Sequence, residues 1–472
     1  MSTWQEFYTQ VRAESWPECK HEHEFDALPP EIQQELCDVF GYVPGTFKQQ
    51  SKLVNRVFPI KTDTACQLKW NWSTVFLPSE LTASCHRTDA HRFDTDTFNF
   101  HNTPEKLDDR RRMLQGEWPS KGCDYCRDIE QAGGASDRIT NLDFPGIHAP
   151  PELDTDAHAT SVTPRILEVY FDNTCNLKCV YCGPHLSSLW AAENKRHGKF
   201  TTGTLTLSDR FEKSTNIEAN KQKLFSWLKE NAHHLTVFNI LGGEPLYQTE
   251  LEQSLDLFEQ YPAPELKLQI FTNLNSKLSH LTKIVEQVRR LIDRGHLREF
   301  EVTASLDCWG PEQEYVRFPL KLSVWETNFE YLLSQPWINL IVGSTVTPLT
   351  IKTLPDLLER VNKWNQIRKV YHYQNSVSGR DHLKVEVLGD IFRQDFARAL
   401  ALKATGTPED ESAKTYLEGI ARQSYNAQPN IPEIKNLWAL LNELDRRRGT
   451  SWPQTFPWLV NEFAKYNLGV TN

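Results

Sequence analysis

Three cysteines lie within eight residues of one another in the stretch CNLKCVYC. They are Cys175, Cys179 and Cys182. Thiolates at this spacing are typical ligands of a metal ion or an iron-sulfur cluster. A structural zinc ion takes four protein ligands, and no fourth cysteine follows at a usual spacing. His185 is close enough in sequence to be the fourth ligand, so zinc remains an alternative. Three thiolates on a 4Fe-4S cluster would leave one iron without a protein ligand, so the pattern favours a cluster that binds a ligand from outside.

Further candidate binding residues follow the ends of later apolar runs. They are Gly242, Gly243, Glu244 and Pro245 after LTVFNIL, Thr272 and Asn273 after LKLQIF, Ser305 and Asp307 in EVTASLD, and Arg317 in EQEYVRFP. Two glycines after a strand let the backbone approach a ligand closely, and a carboxylate beside them can accept hydrogen bonds from an ammonium group. Turn residues, helix caps and a surface cation are the alternative reading of these positions.

Four of the six cysteines that precede the triplet could form a second site. Cys66 and Cys85 lie near the two ends of CQLKWNWSTVFLPSELTASC, which reads as a hairpin around a PSE turn, and Cys123 and Cys126 form a pair in GCDYCRDIE. If the hairpin brings all four together, they make a four-thiolate site. The spacing permits zinc as readily as an iron-sulfur cluster, and unrelated free thiols are the third alternative.

The elements that position these residues are strands and helices in alternation. Between residues 165 and 377, β-rich runs alternate with helical runs about six times. Such alternation predicts parallel strands joined by crossovers. Ligands bind at the carboxyl ends of such strands, which is where the triplet, Gly243, Asn273, Ser305 and Gln374 fall.

The stretch CNLKCVYC, with Tyr181 just before its last cysteine, resembles the cluster-binding motif of the radical S-adenosylmethionine superfamily. The resemblance implies a partial (β/α)6 TIM-like barrel, a 4Fe-4S cluster on the triplet, and S-adenosyl-L-methionine on the open iron. An electron would then cleave this cofactor to methionine and a 5′-deoxyadenosyl radical, which abstracts hydrogen from a substrate. An electron donor such as flavodoxin or ferredoxin is implied as a partner.

The resemblance also assigns cofactor-binding roles. Gly242 to Pro245 is similar to the family's GGEP motif, which holds the methionyl amine, and Ser305 and Asp307 would lie near the ribose hydroxyls. The full set of implied cofactor-binding residues is Tyr181, Gly242, Gly243, Glu244, Pro245, Asn273, Ser305, Asp307, Arg317 and Gln374.

The upstream cysteines resemble the auxiliary-cluster modules called SPASM and twitch, although those modules usually follow the barrel. From about residue 60 to the end, the chain resembles twitch-domain radical S-adenosylmethionine proteins in GCDYCRDIEQAGGASDR, CNLKCVYCGPHLSSLW and LDRRRGTSWPQTFP. The resemblance implies an auxiliary 4Fe-4S cluster on Cys66, Cys85, Cys123 and Cys126. Such a cluster would relay electrons. If one cysteine does not bind its iron, the substrate could bind that iron directly.

One further cysteine and one further strand have candidate roles. A thiol at Cys308, near the predicted barrel mouth, would return a hydrogen atom to a substrate radical, as a resemblance to radical epimerases implies; a small buried hydrophobe is the alternative. Tyr371, His372, Tyr373 and Gln374 lie on the last predicted strand, where alternate side chains would meet adenine or substrate. Core packing explains the aromatic residues equally well.

Composition limits the remaining classes. The chain has 472 residues, ten cysteines and no apolar run that would form a signal peptide or membrane span, which predicts a cytoplasmic protein without a membrane partner. Its formal charge of -10 makes nucleic acid an unfavoured partner. We expect an N-terminal helical segment at 1–60, the auxiliary module at 61–160, the barrel at 161–382 and a helical region at 383–472.

The sequence therefore predicts an oxidoreductase-type radical S-adenosylmethionine enzyme that abstracts hydrogen from a peptide side chain or backbone. A small metabolite such as an amino sugar or amino acid is the alternative substrate. A non-catalytic zinc-binding interaction protein is the alternative from another class.

In the C-terminal helical region, the three arginines of LDRRRG are predicted to cap the helix or to be solvated.

Overall fold

The computed structural model describes residues 64, 66, 68–119, 122–131, 136, 138, 161–207, 211–377 and 379–469. The predicted N-terminal helical segment at 1–60 lies outside these residues. The chain divides into two compact units, Met1–Val169 with Ser214–Asn239, and Tyr170–Lys213 with Ile240–Asn472. The four predicted segments stay a prediction.

The strands follow the predicted alternation. In chain order they are β1 Trp72–Phe76, β2 Leu81–Ala83, β3 His91–Arg92, β4 Ile166–Tyr170, β5 Thr201–Thr202, β6 Leu205–Thr206, β7 Val237–Leu241, β8 Lys267–Thr272, β9 Glu299–Ser305, β10 Ile338–Val346 and β11 Tyr371–Ser376. All except the small β5-β6 pair belong to one sheet, with the order β11-β10-β9-β8-β7-β4-β1-β2-β3.

The helices lie between these strands and after them. They are α1 Leu68–Asn71, α2 Pro104–Leu114, α3 Cys123–Gln131, α4 Ser188–His197, α5 Ile217–Asn231, α6 Thr249–Gln260, α7 Leu278–Asp293, α8 Pro311–Val316, α9 Leu322–Leu333, α10 Leu354–Asn365, α11 Arg393–Leu402, α12 Pro408–Tyr425, α13 Ile431–Arg448, α14 Trp452–Thr455 and α15 Pro457–Ala464. The last five lie within residues 393–464. In the part of the chain that the structure describes, no helix is long and apolar enough to cross a membrane.

Strands β8 to β11 pair in parallel in their sequence order. Ile270 lies opposite Val302, Val302 opposite Leu340, and Val342 opposite His372. Most residues of β8 are buried, as is typical of parallel strands covered by helices on both faces. The mixed α/β class and the parallel strands are confirmed, whereas closure into a partial barrel stays a prediction.

The cysteine-rich hairpin also forms. Strands β1 and β2 pair antiparallel, with Val75 opposite Thr82, around the short 3₁₀ turn Leu77–Ser79. Glu80 ends this turn in the left-handed conformation, at φ 56°. The stretch before β1 is the short helix α1 rather than strand, so the hairpin is shorter than its cysteine-to-cysteine span.

Helix α13 shows how sequence signals set an element's limits. Asn430 accepts a hydrogen bond from the backbone of Glu433 at its start, and Gly449 ends it in the left-handed conformation at φ 67°. The apolar stripe that includes Ile434, Leu437 and Leu441 has no exposed surface. This burial is the packing role that the periodicity predicts.

Candidate functional site

The three-cysteine loop directly follows β4 and is held by backbone hydrogen bonds. The N–H of Lys178 donates to the Phe318 carbonyl at 2.7 Å, and the N–H of Val180 donates to the Val316 carbonyl at 2.8 Å. Trp190 on α4 donates its indole N–H to the Cys179 carbonyl at 2.7 Å. These contacts fix the path of the chain between the thiols before any ligand binds.

The thiols themselves are buried or half-buried, with donors aimed at one of the sulfurs. The N–H of Leu177 lies 3.4 Å from Cys175 Sγ, and the side-chain amide of Asn273 lies 3.9 Å from the same sulfur. Such donors stabilise a thiolate. Cys182 Sγ instead donates to the Gly183 carbonyl at 3.7 Å.

The charges around the loop favour an anionic group. Burial raises the pKa of Cys179 to about 12, and the guanidiniums of Arg317 and Arg448 oppose that shift. Burial also raises the pKa of Cys182, against the charges of Arg380 and Arg317. A buried thiol of this kind ionises when a metal ion or cluster supplies the positive charge. The donor set and its cationic surroundings therefore fit an iron-sulfur cluster.

Gly242 and Gly243 both adopt left-handed backbone, at φ 77° and 61°. A Cβ on Gly243 would lie 2.2 Å from the Thr174 carbonyl oxygen, and a Cβ on Gly242 would lie 2.3 Å from the Tyr170 ring. Only glycine meets both the conformational and the spatial requirement. The two glycines thus bring this loop against the start of the three-cysteine loop, where Glu244 N donates to the Thr174 carbonyl at 2.8 Å.

Glu244 is buried and already bonded within the protein. Its carboxylate accepts from Thr272 Oγ1 at 2.6 Å, from the Asn273 N–H at 2.6 Å and from the Leu246 N–H at 3.1 Å. Burial raises the pKa of Glu244 to about 7, while these hydrogen bonds lower it. The carboxylate therefore ties the Gly-Gly-Glu-Pro turn, in which Pro245 is also buried, to the end of β8. The predicted contact with an ammonium group stays a prediction.

Asn273 connects the end of β8 to the three-cysteine loop. Its side-chain amide lies near Cys175 Sγ and donates to Asn176 Oδ1 at 2.9 Å. Its Oδ1 accepts from the Asn275 N–H at 2.8 Å. It therefore lies beside the triplet, as its position at a strand end predicted. Ser305 ends β9 and is partly exposed at that edge, opposite Gly343 in the neighbouring strand.

Asp307 and Arg317 form a buried ion pair. Arg317 Nε and Nη2 donate to the two carboxylate oxygens of Asp307 at 2.8 and 2.9 Å. Tyr181 donates its hydroxyl at 2.7 Å, and the N–H of Thr345 donates at 2.8 Å. These four donors fill the acceptor sites of a carboxylate, so the predicted ribose contact of Asp307 is disfavoured. The pair instead anchors Tyr181 next to Cys182, and Arg317 is not a surface cation.

The last strand places its polar residues differently from the prediction. His372 bonds Ser344 Oγ and Lys403 Nζ, each at 2.8 Å, so both ring nitrogens are engaged inside the protein. Gln374 donates its amide N–H to the Ala413 carbonyl on α12. Its Oε1 is buried and has no partner among the described residues, which leaves an acceptor for an amino group of a ligand. The Tyr373 hydroxyl occupies the space beside Gly343.

Cys308 does not line an open site. It has no exposed surface, and its thiol lies 3.7 Å from Gln313 Oε1. The Gln313 side chain also accepts from the N–H groups of Asp307 and Cys308, at 2.9 and 3.1 Å. The burial of this sulfur favours the alternative, a small buried residue, and the role of hydrogen-atom donor stays a prediction.

The four upstream cysteines gather in one unit. Cys66, Cys85, Cys123 and Cys126 line a single cavity of about 20 Å³ together with apolar side chains such as Leu68, Met113 and Trp118. A Cβ on Gly122 would lie 2.2 Å from the Arg87 carbonyl, so glycine permits this approach of α3 to the hairpin. The void exceeds the ~10–15 Å³ that one water requires. The four cysteines therefore line one cavity, and a shared metal site on them stays a prediction.

Burial dominates the electrostatics of the Cys66 thiol in this cavity. Burial and the neighbouring Cys85 raise the pKa of Cys66, and the Arg138 guanidinium opposes the shift. Among the described residues, no group of three or more His, Cys, Asp or Glu side chains already stands in the arrangement of a metal site. Ligation at either group of cysteines is therefore a proposal, and zinc and iron-sulfur remain alternatives for the upstream group.

Two cations near the triplet escaped sequence reasoning. Arg380 donates to the Cys182 carbonyl at 2.8 Å; its position just after the end of β11 was a signal that could have found it. Arg448 is buried against Glu193, which corrects the expectation that the arginines of α13 are capping or solvated. Arg447 is likewise buried, on Glu443, whereas Arg446 is exposed. Nothing in the repeated RRR distinguishes these three positions.

No protein-family model and no curated protein matches the chain. The chain is similar to the solved structure of native anSMEcpe with bound AdoMet and Kp18Cys peptide, at 14% sequence identity and a TM-score of 0.33. The match covers 60% of this chain and spans 61% of that one. A similarity at this level assigns neither a family nor an activity.

Proposed function

We propose that this chain is a radical S-adenosylmethionine enzyme, with a 4Fe-4S cluster held by Cys175, Cys179 and Cys182. The observation that carries the proposal is the meeting of the three-thiol loop with the left-handed Gly242-Gly243 turn at the carboxyl ends of consecutive strands. Together with the resemblance of CNLKCVYC to the family's motif, this favours a cluster with an open iron over a structural zinc ion.

When bound, the cluster supplies an electron that cleaves S-adenosylmethionine and so generates a radical able to abstract hydrogen from carbon. The chain's own residues prepare this site. Gly243 lets its turn pack against the Thr174 carbonyl, Asn273 joins the end of β8 to Cys175, and the Asp307–Arg317 pair fixes Tyr181 beside Cys182. Gln374 Oε1 offers a buried acceptor for the amino group of adenine.

We further propose an auxiliary 4Fe-4S cluster on Cys66, Cys85, Cys123 and Cys126. Their convergence on one cavity with apolar walls supports a bound metal group, because four thiols around one point are a usual ligand set of zinc or an iron-sulfur cluster. The resemblance to SPASM and twitch modules favours iron-sulfur over zinc. Electron relay is the proposed role, with flavodoxin or ferredoxin as donor.

For the substrate we propose a peptide, because the twitch and SPASM resemblance points to peptide modification. A small metabolite such as an amino sugar or amino acid is the alternative. Coexpression with any short peptide gene adjacent to this one, followed by mass spectrometry of the peptide, tests the choice. A change in peptide mass that is lost when the three cysteines are replaced supports a peptide substrate. If the enzyme cleaves its cofactor but the peptide keeps its original mass, a metabolite substrate is favoured.

Metal analysis tests the chemistry itself. The anaerobically reconstituted protein should contain about eight irons and equal sulfide, falling to about four when Cys175, Cys179 and Cys182 are all replaced by Ala. A matched variant with Cys123→Ala and Cys126→Ala should lose the other four. Zinc alone in the wild type, unaffected by the first set of substitutions, would support the non-catalytic zinc-binding alternative.

A further inference from the structure

The last residue of α13, Arg448, is buried although it belongs to a run of three arginines. Its side chain is 1% exposed, as is that of its partner Glu193. Nε and Nη2 donate to the two carboxylate oxygens of Glu193 at 3.2 and 3.1 Å. The guanidinium also lies 4.8 Å from the centre of the Trp190 ring. Packing and two hydrogen bonds thus fix its position.

One side of this guanidinium has no partner. Arg448 Nη1 is buried and makes no hydrogen bond to any described residue. A buried donor left unsatisfied lowers stability by about 1–3 kcal/mol, so such an atom calls for an explanation. A group absent from the protein chain itself, such as a cluster sulfide, would supply the acceptor.

The local charges do not balance. Lys178 Nζ also donates to Glu193, at 2.5 Å, so two cations share this one carboxylate among the ionic contacts that the structure describes. One positive charge is left over in a region with almost no solvent to screen it. Lys178 lies inside the three-cysteine loop, between Cys175 and Cys179.

This excess charge acts on the loop. Arg448 keeps its positive charge among the side chains that hold the loop, between Glu193 and the Trp190 ring. Trp190, which the guanidinium faces, donates to the Cys179 carbonyl. The Phe318 ring, 5.7 Å from the guanidinium, belongs to the residue whose carbonyl accepts from Lys178. Arg448 is therefore coupled to Cys179 through both charge and packing.

We propose that Arg448 raises the reduction potential of the cluster held by the three-cysteine loop. The inference rests on the proposed function. On reduction the cluster takes one electron from a donor such as flavodoxin, ferredoxin or dithionite, which is oxidised by one electron, and no bond or proton moves. Because the reduced form carries one more negative charge, a fixed positive charge against Trp190, whose indole bonds the Cys179 carbonyl, stabilises it relative to the oxidised form.

The test is an anaerobic redox titration of the holoenzyme, followed by electron paramagnetic resonance of the signal that changes when S-adenosylmethionine is added. Arg448→Met should disfavour reduction about tenfold, which corresponds to ~59 mV for one electron. Arg448→Lys keeps the charge and should retain most of the potential. Arg446→Met, an exposed arginine on the same helix, is the matched control and should leave the potential unchanged.

Glu193→Gln provides a change of opposite sign. Removing the carboxylate charge leaves both cations unbalanced, so the potential should rise, and this variant carries the test if Arg448→Met does not hold its cluster. Equal potentials in Arg448→Met and Arg446→Met, or a lower potential in Glu193→Gln, would overturn the inference alone. A wild type that binds no iron at the triplet would overturn the proposed function as well.

Discussion

The buried pair Asp307–Arg317 yields a stability prediction that is independent of any bound cofactor. The Asp307 side chain has 0% exposure and that of Arg317 has 9%, so solvent screens the pair little. Asp307→Asn keeps the size of the side chain but removes its charge. It also places an amide donor next to either Arg317 Nε or Nη2, which donate at 2.8 and 2.9 Å in the wild type. Removing one partner of a buried ion pair lowers stability by about 3–5 kcal/mol, and we expect that loss here.

Urea unfolding of the cluster-free protein, followed by tryptophan fluorescence, measures the change. Asp293→Asn is the control in the same unit, because its pair with Arg289 is about half exposed, at 52% and 45%. An exposed pair contributes about 0–1 kcal/mol. If the free energies of unfolding of the two variants differ from wild type by the same amount, the argument that burial makes the Asp307–Arg317 pair strongly stabilising is wrong.

Three further predictions concern the residues around the site. Gly243→Ala should abolish cofactor cleavage, because its Cβ would lie 2.2 Å from the Thr174 carbonyl, whereas Gly295→Ala, also at positive φ but with nothing within 4 Å, should retain it; cleavage assays of both variants check this. Burial raises the pKa of Glu244 from 4.5 to about 7. Between these pH values the folded state holds a proton that the unfolded state has lost, so stability falls as pH rises through this window. Glu244→Gln should flatten that slope in urea titrations of the cluster-free protein, and an unchanged slope would contradict the assignment. Cys308→Ala should cost about 1–2 kcal/mol of stability and leave both cofactor cleavage and product unchanged; product lost while cleavage persists would reinstate Cys308 as a hydrogen donor.

Local patterns were sufficient to predict the elements and several neighbours within the site. The apolar runs before Gly242 and Asn273 became β7 and β8, because strands buried on both faces need continuous apolar sequence. Parallel order then placed Asn273 beside Cys175 without any knowledge of side-chain contacts. Cys66 and Cys85, on either side of the short hairpin, line the same cavity, and their ligation of one metal stays a prediction.

Side-chain direction and charge pairing could not be predicted in the same way. Asp307 follows a strand end, as a ligand-binding residue would, but Arg317 and Tyr181 occupy its oxygens. Cys308 is next in sequence yet fully buried, because Gln313 turns the backbone of this segment inward. The burial of Arg448 depends on Glu193, and no local pattern joins residues so distant in sequence.

The central claim is that the three-cysteine loop supports reductive cleavage of S-adenosylmethionine. The most direct test is to incubate the reconstituted protein with the cofactor and dithionite without oxygen and to quantify 5′-deoxyadenosine by chromatography and mass spectrometry. The claim predicts 5′-deoxyadenosine from the wild type and from Arg446→Met, and none from Cys179→Ala. Equal amounts from wild type and Cys179→Ala, or none from an iron-loaded wild type, would contradict it.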